Sequence, residues 1–321
     1  MNVILNNQKI AELYYRAENG DTSFDLGELC ADEGIIVKHP YDDANDEVMV
    51  ADARMLGGVI PVRNERLSRI MSEDFVLDSG RIAWSDWGFF MTFIIQGDMR
   101  NGEKMYYPLC CLYKIKNGKL TAMELYQDRQ QAEPWYLGYA EIEIKEPLSE
   151  MIEKYYAKKL DGMSITQVNY PIPDNISTAD YDMLVKYNED IAKLFIKFLN
   201  GDTSVNTTNF VGGKVSVGNV DNDIMVSVRG KTFIDIIIKR ELRLKQTMSD
   251  YSTDEMGYLA WGDWGFIMER TIKGTLSNGS KVYLPVCEAY SIKKGRITSV
   301  EFYYDRQQAE PLLNIESLLF S

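Results

Sequence analysis

Trp84-Ser85-Asp86-Trp87-Gly88-Phe89 and Tyr126-Gln127-Asp128-Arg129-Gln130-Gln131-Ala132-Glu133-Pro134 bracket a stretch that this chain contains twice. Trp261-Gly262-Asp263-Trp264-Gly265-Phe266 answers the first segment, and Tyr303-Tyr304-Asp305-Arg306-Gln307-Gln308-Ala309-Glu310-Pro311 answers the second. The offset is 177 residues at both ends, so nothing is inserted or lost between them. A further pair, Asn19-Gly20-Asp21 and Asn200-Gly201-Asp202, lies at an offset of 181. The four-residue difference falls between these points and the Asn45-Asp46 and Asn222-Asp223 pairs, where a loop can absorb it.

A chain of 321 residues is long enough for two domains that each bury a core. We read residues 1–146 as the first domain, 147–180 as a linker carrying a helix, and 181–321 as the second domain. No run approaches the roughly 18 apolar residues that span a membrane. The N-terminus lacks a basic segment followed by an apolar one, so the expected location is cytoplasmic. Cys30, Cys110, Cys111 and Cys287 form no Cys-x-x-Cys, and the single histidine, His39, is distant from them in sequence. Neither a metal site nor a cofactor is expected from that inventory.

The net charge of −13 is uneven. Residues 1–146 hold 25 acidic and 15 basic side chains, a net of −10. An acidic surface repels phosphate backbones, which argues against nucleic acid as a partner. The cluster Asp42-Asp43-Ala44-Asn45-Asp46-Glu47 could meet a basic protein, although a solvated loop is the simpler account.

Along the first half, Ile10, Leu13, Tyr14 and Ala17 predict a helix over 8–19 that stops at Asn19-Gly20. Asp21-Thr22-Ser23 would cap a second, shorter helix through about Cys30. Ile35 to Lys38 reads as a short strand closed at His39-Pro40. Residues 53–71 read mainly as helix despite Gly57-Gly58 and Pro61, and Thr232 to Met248 is the cleaner partner. Strands follow: Trp84 to Ile95, Met105 to Ile115 and Leu120 to Tyr126, joined by turns at Asn101-Gly102 and Asn117-Gly118. The order is α+β, with helices covering one face of a curved antiparallel sheet.

Asn19-Gly20-Asp21, Asn117-Gly118-Lys119-Leu120 and Tyr126-x-Asp128, in that order, resemble the nuclear transport factor 2-like superfamily, which includes ketosteroid isomerases and SnoaL-like cyclases. The second half repeats the set as Asn200-Gly201-Asp202, Gly295-Arg296-Ile297 and Tyr303-Tyr304-Asp305. The resemblance implies two tandem cone-shaped domains, each with an apolar pocket between sheet and helices, arranged as a pseudo-dimer in one chain. In the isomerases a base precedes a proline after the second helix, and the matching position here holds His39. The positions of the two oxyanion donors hold Leu13 and Cys110, with Leu194 and Cys287 in the second half. A pocket frame without those donors argues against strong catalysis.

The expected pocket residues are Leu13, His39, Trp84 and Trp87, with Cys110, Met123, Leu125 and Gln127. His39 is the candidate catalytic acid or base. Recurrence of Cys110 as Cys287 in a half without histidine favours a small core residue, and the tryptophans are as readily core as ligand platform. Side chains alternate along a strand, so Glu124, Tyr126 and Asp128 lie on the face opposite Met123 and Leu125. With Glu301, Tyr303 and Asp305 they form an expected pseudo-twofold interface. The leading expectation is a binder of a small apolar ligand in the first domain. The alternatives are an isomerase, cyclase or hydratase using His39, and a scaffold whose acidic first domain docks a basic protein.

Overall fold

A computed structural model of the chain describes residues 3–40, 48–72, 75–78, 80–133, 146–156, 177–219, 224–253 and 257–313. The acidic cluster at 42–47 and the prolines at 171 and 173 lie outside these residues. Two compact units emerge, one built mainly from the first half and one from the second. Residues Tyr126–Gln130 belong to the second unit by their contacts.

The first unit opens with α1 (Val3–Glu18), which buries Ile10, Leu13, Tyr14 and Ala17 on one face. It begins earlier than its apolar spacing indicated. The expected second helix is a 3-10 turn, Leu26–Leu29. Asp25 caps it by accepting from the Gly27 amide, while Asp21 instead accepts from the Ser23 amide. Then come β1 (Ile35–Lys38), β2 (Val48–Ala51), α2 (Ala53–Ile70) and β3 (Val76–Asp78). Asp52 caps α2 by accepting from the Met55 amide, and Pro61 does not end the helix. Three more strands, β4 (Ile82–Trp84), the long β5 (Gly88–Asp98) and β6 (Lys104–Lys116), lead into β7 (Lys119–Gln127). After them α3 (Leu148–Tyr156) packs on α2, so residues 147–156 of the expected linker are held by the first unit, while 177–180 belong to the second.

The strand order is β2-β1-β7-β6-β5, with β3 and β4 both pairing β5. β1 pairs β2 antiparallel, and β3, β4 and β6 pair β5 antiparallel, whereas β1 runs parallel to β7. The sheet is therefore mixed rather than wholly antiparallel. The parallel pair is possible because β2, α2 and β3 to β6 lie between β1 and β7 in the chain, so no hairpin joins them.

The second unit repeats the plan. It comprises α4 (Thr178–Leu199), β8 (Val211–Asn219), β9 (Ile224–Arg229), α5 (Gly230–Thr247) and β10 (Ser252–Thr253). The remaining strands are β11 (Leu259–Trp261), β12 (Gly265–Thr275), β13 (Lys281–Lys293) and β14 (Arg296–Tyr303), followed by α6 (Arg306–Leu313). Gly88 pairs with Lys114 and Gly265 with Ser291, so the long hairpin keeps one register in both units.

The repeated Trp-x-Asp-Trp-Gly-Phe segment has a structural explanation. It turns the chain from β4 into β5, and from β11 into β12. Gly88 has φ 153 and Gly265 has φ 155. A Cβ at either position would stand 2.0 Å from a carbonyl oxygen, of Tyr113 or Tyr290. A buried asparagine on the first helix of each unit pins the same corner. Asn7 Nδ2 donates to the carbonyls of Ser85 and Asp86 at 2.9 Å each. Asn188 Nδ2 donates to those of Gly262 and Asp263 at 2.8 and 3.0 Å. Replacing Asn7 or Asn188 by alanine strands two inward carbonyls, and an expected loss of about 2 kcal/mol follows, read by urea unfolding.

Candidate functional site

A cavity of about 510 Å³ lies in the first unit, between the sheet and helices α1 and α2. The sheet contributes alternate residues: Ile35 and Val37 of β1, Phe93 and Ile95 of β5, Met123 and Leu125 of β7. From β6 it takes Tyr107, Leu109, Cys111 and Tyr113. These sets follow from the two-residue period of a strand. Met55 and Val59, one turn apart on α2, line the cavity yet remain 39% exposed, so they stand at its mouth.

The polar part of the lining is small. Glu18 at the end of α1 and Arg63 on α2 form an ion pair of 2.5 Å, with side chains 2% and 13% exposed. The Tyr14 and Tyr113 hydroxyls are hydrogen bonded, and their ring centroids lie 4.6 Å apart. Burial pushes both phenols well above their ordinary pKa, and Glu18 adds to the effect. Burial likewise raises the Cys111 thiol, with Cys110 contributing. All three groups therefore stay protonated through neutral pH.

Of the eight expected pocket residues, Met123 and Leu125 lie in this lining. Leu13 is fully buried in the core one residue before Tyr14, which takes the cavity-facing position on α1. Cys110 is likewise buried, and the pleat turns its neighbour Cys111 inward instead. Trp84 is 1% exposed within the core, and Trp87 meets Phe90 edge to face at 5.2 Å. Gln127 is buried at the end of β7, outside the lining. His39 is half-buried and also outside it, because β1 ends at Lys38 and Val37 is its last cavity residue.

Strand pairing gives the counterpart of His39 in the second unit. Lys38 pairs with Glu124 and Gly218 with Glu301, which matches His39 to Asn219. The constant offset of 177 does not hold before the loop that absorbs the length difference.

Glu124 is 4% exposed and meets Lys114 Nζ at 2.6 Å and Lys38 Nζ at 3.6 Å. Tyr126, Asp128, Tyr303 and Asp305 are buried. Glu301 accepts from the Tyr303 hydroxyl at 3.1 Å. Within the second unit, which includes Tyr126–Gln130, Asp305 accepts from Arg129 Nε at 2.6 Å and Asp128 pairs with Arg306.

The matching interior of the second unit is occupied by its own side chains. Phe93 and Cys111 are replaced by Arg270 and Glu288, and Leu56 and Leu125 by Phe233 and Phe302. Arg270 reaches Glu241 at 2.8 Å and Glu288 at 4.0 Å, and Arg240 meets both carboxylates at 3.4 Å. Tyr251 donates to Glu241 and Tyr290 to Glu288. The cavity beside this network measures about 120 Å³. Tyr14, Glu18 and Arg63 escaped the sequence reading, as did the filling of the second interior. Comparing the halves at the strand offset would have revealed the latter, since two apolar positions become an opposite-charge pair.

No family model matches the chain, and no curated protein matches it. Among solved structures the matches include nuclear transport factor 2-like and SnoaL-like proteins. One is a nuclear transport factor 2-like protein from Burkholderia xenovorans, 14% identical, covering 40% of this chain and 95% of its own, with TM-score 0.32. A protein from Mesorhizobium loti, named as a SnoaL-like polyketide cyclase, is 19% identical over 36% of this chain and 97% of its own (TM-score 0.26). An epoxide hydrolase from M. tuberculosis is 17% identical over 42% of this chain and 92% of its own (TM-score 0.28). These three cover between 36% and 42% of this chain.

Proposed function

We propose that the first unit binds a small, largely apolar, uncharged molecule, and that binding rather than strong catalysis is its task. The observation that carries this reading is the 510 Å³ apolar cavity, a size typical of ligand sites, at a place the second unit fills with its own residues. Glu18 and Arg63 neutralise each other, so a charged ligand would enter without a free counter-charge. The phenols and the thiol, held protonated by burial, add only uncharged groups to the lining, which suits an uncharged ligand. His39 outside the lining supports the same choice.

The test is fluorescence titration of the full chain with the neutral probe N-phenyl-1-naphthylamine. Wild type is expected to bind at micromolar probe. Leu56→Phe with Leu125→Phe copies Phe233 and Phe302 into the first unit. It is expected to weaken binding at least about tenfold by filling the cavity, with little change in melting temperature. Binding unaffected by the double substitution, or absent from wild type, would overturn the proposal.

A further inference from the structure

One wall of the cavity comes from outside the repeated frame. Leu148, the first residue of α3, is part of the lining, whereas the other walls come from α1, α2 and the sheet. Those other walls belong to paired strands and to helices that pack on the strands or on the 3-10 turn. α3 instead rests on α2, where Leu148 lies against Gly58, and one turn later Met151 is buried.

The place where it rests is prepared in the sequence by Gly57-Gly58. A Cβ on Gly57 would stand 2.4 Å from the Asp25 carboxylate that caps the 3-10 turn, so this glycine serves the frame. A Cβ on Gly58 would stand 2.4 Å from Leu148 Cδ1. The side chain that Gly58 lacks is thus the room that Leu148 takes up. The matching position in the second unit is Asp235, which is exposed.

We infer that Leu148, admitted by Gly58, is a specificity-determining residue that sets the length of the ligand the first unit accepts. The inference rests on the ligand-site reading above. Its physical basis is that a wall contributed by one side chain can be moved by one substitution. Truncating Leu148 lengthens the cavity at that wall, and enlarging it shortens the cavity, while the remaining lining stays in place.

The experiment is displacement of N-phenyl-1-naphthylamine from the full chain by straight-chain 1-alkanols of increasing length. Wild type is expected to show an optimum chain length. Leu148→Ala should move that optimum up by about two to three carbons, with the longer alkanols gaining roughly fourfold per added methylene accommodated. Leu148→Phe should move it down. Leu148→Met, close in volume, should keep both the wild-type optimum and the docking of α3. Opposite shifts in the alanine and phenylalanine variants support the inference, because loss of structure alone would weaken all lengths together. Probe binding with one unchanged optimum across the variants overturns this inference and leaves the ligand site standing. No binding of probe or alkanol to wild type overturns both.

Discussion

Replacing Arg270 by leucine is expected to cost about 3–5 kcal/mol, the usual result of removing one partner from a buried ion pair. Its side chain is 6% exposed and stands between Glu241 and Glu288. Without it Glu288, 2% exposed, keeps Arg240 at 3.4 Å as its ion-pair partner among the described residues. Thermal unfolding should show a fall on the order of 10 °C for a unit of this size. The joint change Arg270→Phe with Glu288→Cys installs the first unit's residues at both positions. Removing both charges avoids leaving Glu241 and Glu288 to share Arg240, so the double variant should be more stable than Arg270→Leu alone. A double variant at least as damaged as the single one would show that packing, not charge pairing, fixes this interior.

The same network makes the second unit acid-sensitive. Burial works to raise the Glu241 pKa, but Arg270 and Arg240 outweigh it and hold the carboxyl below its ordinary value. A carboxyl depressed in the folded state contributes stability that is present above its unfolded pKa. That contribution is lost as pH falls through the folded value. Stability should therefore be flat near neutrality and decline below about pH 4.5, as read by urea midpoints across pH. A midpoint that rises on acidification would contradict the assignment.

Gly88→Ala and Gly265→Ala are each expected to destabilise by about 3 kcal/mol or more. Two causes add. The φ of 153 or 155 lies in a region that residues with a Cβ rarely adopt. The added Cβ also meets a backbone carbonyl at 2.0 Å, which cannot move aside as a side-chain tip could. Because the carbonyls of Tyr113 and Tyr290 belong to the second long strand of each hairpin, the damage should spread along that pairing. Amide hydrogen exchange would show it as faster exchange in β5 and β6 for Gly88→Ala, and in β12 and β13 for Gly265→Ala. A variant as stable as wild type would mean that the corner relaxes without effort.

The repeat, the α+β order and the long hairpin registers are written in the amino-acid order alone. They depend on local signals: Asn-Gly turns, two-residue and helical periodicities, and an uninterrupted offset of 177. The shared face of Met123 and Leu125 is legible in the same way, because strand alternation is a backbone property. The site itself took shape only in three dimensions. Whether Leu13 or Tyr14 faces the cavity depends on how α1 is rotated on the sheet, and one residue of helix is a turn of about 100°. Whether Cys110 or Cys111 points inward depends on which face of β6 the helices cover. His39 misses the cavity because β1 ends one residue before it. Asn7 and Asn188 looked like ordinary polar helix residues until the corner they hold was in place. The contrast between an open first interior and a filled second one rests on Arg270, Glu288, Arg240 and Glu241 meeting from three separate elements. Such a meeting is a property of packing, which no local pattern encodes.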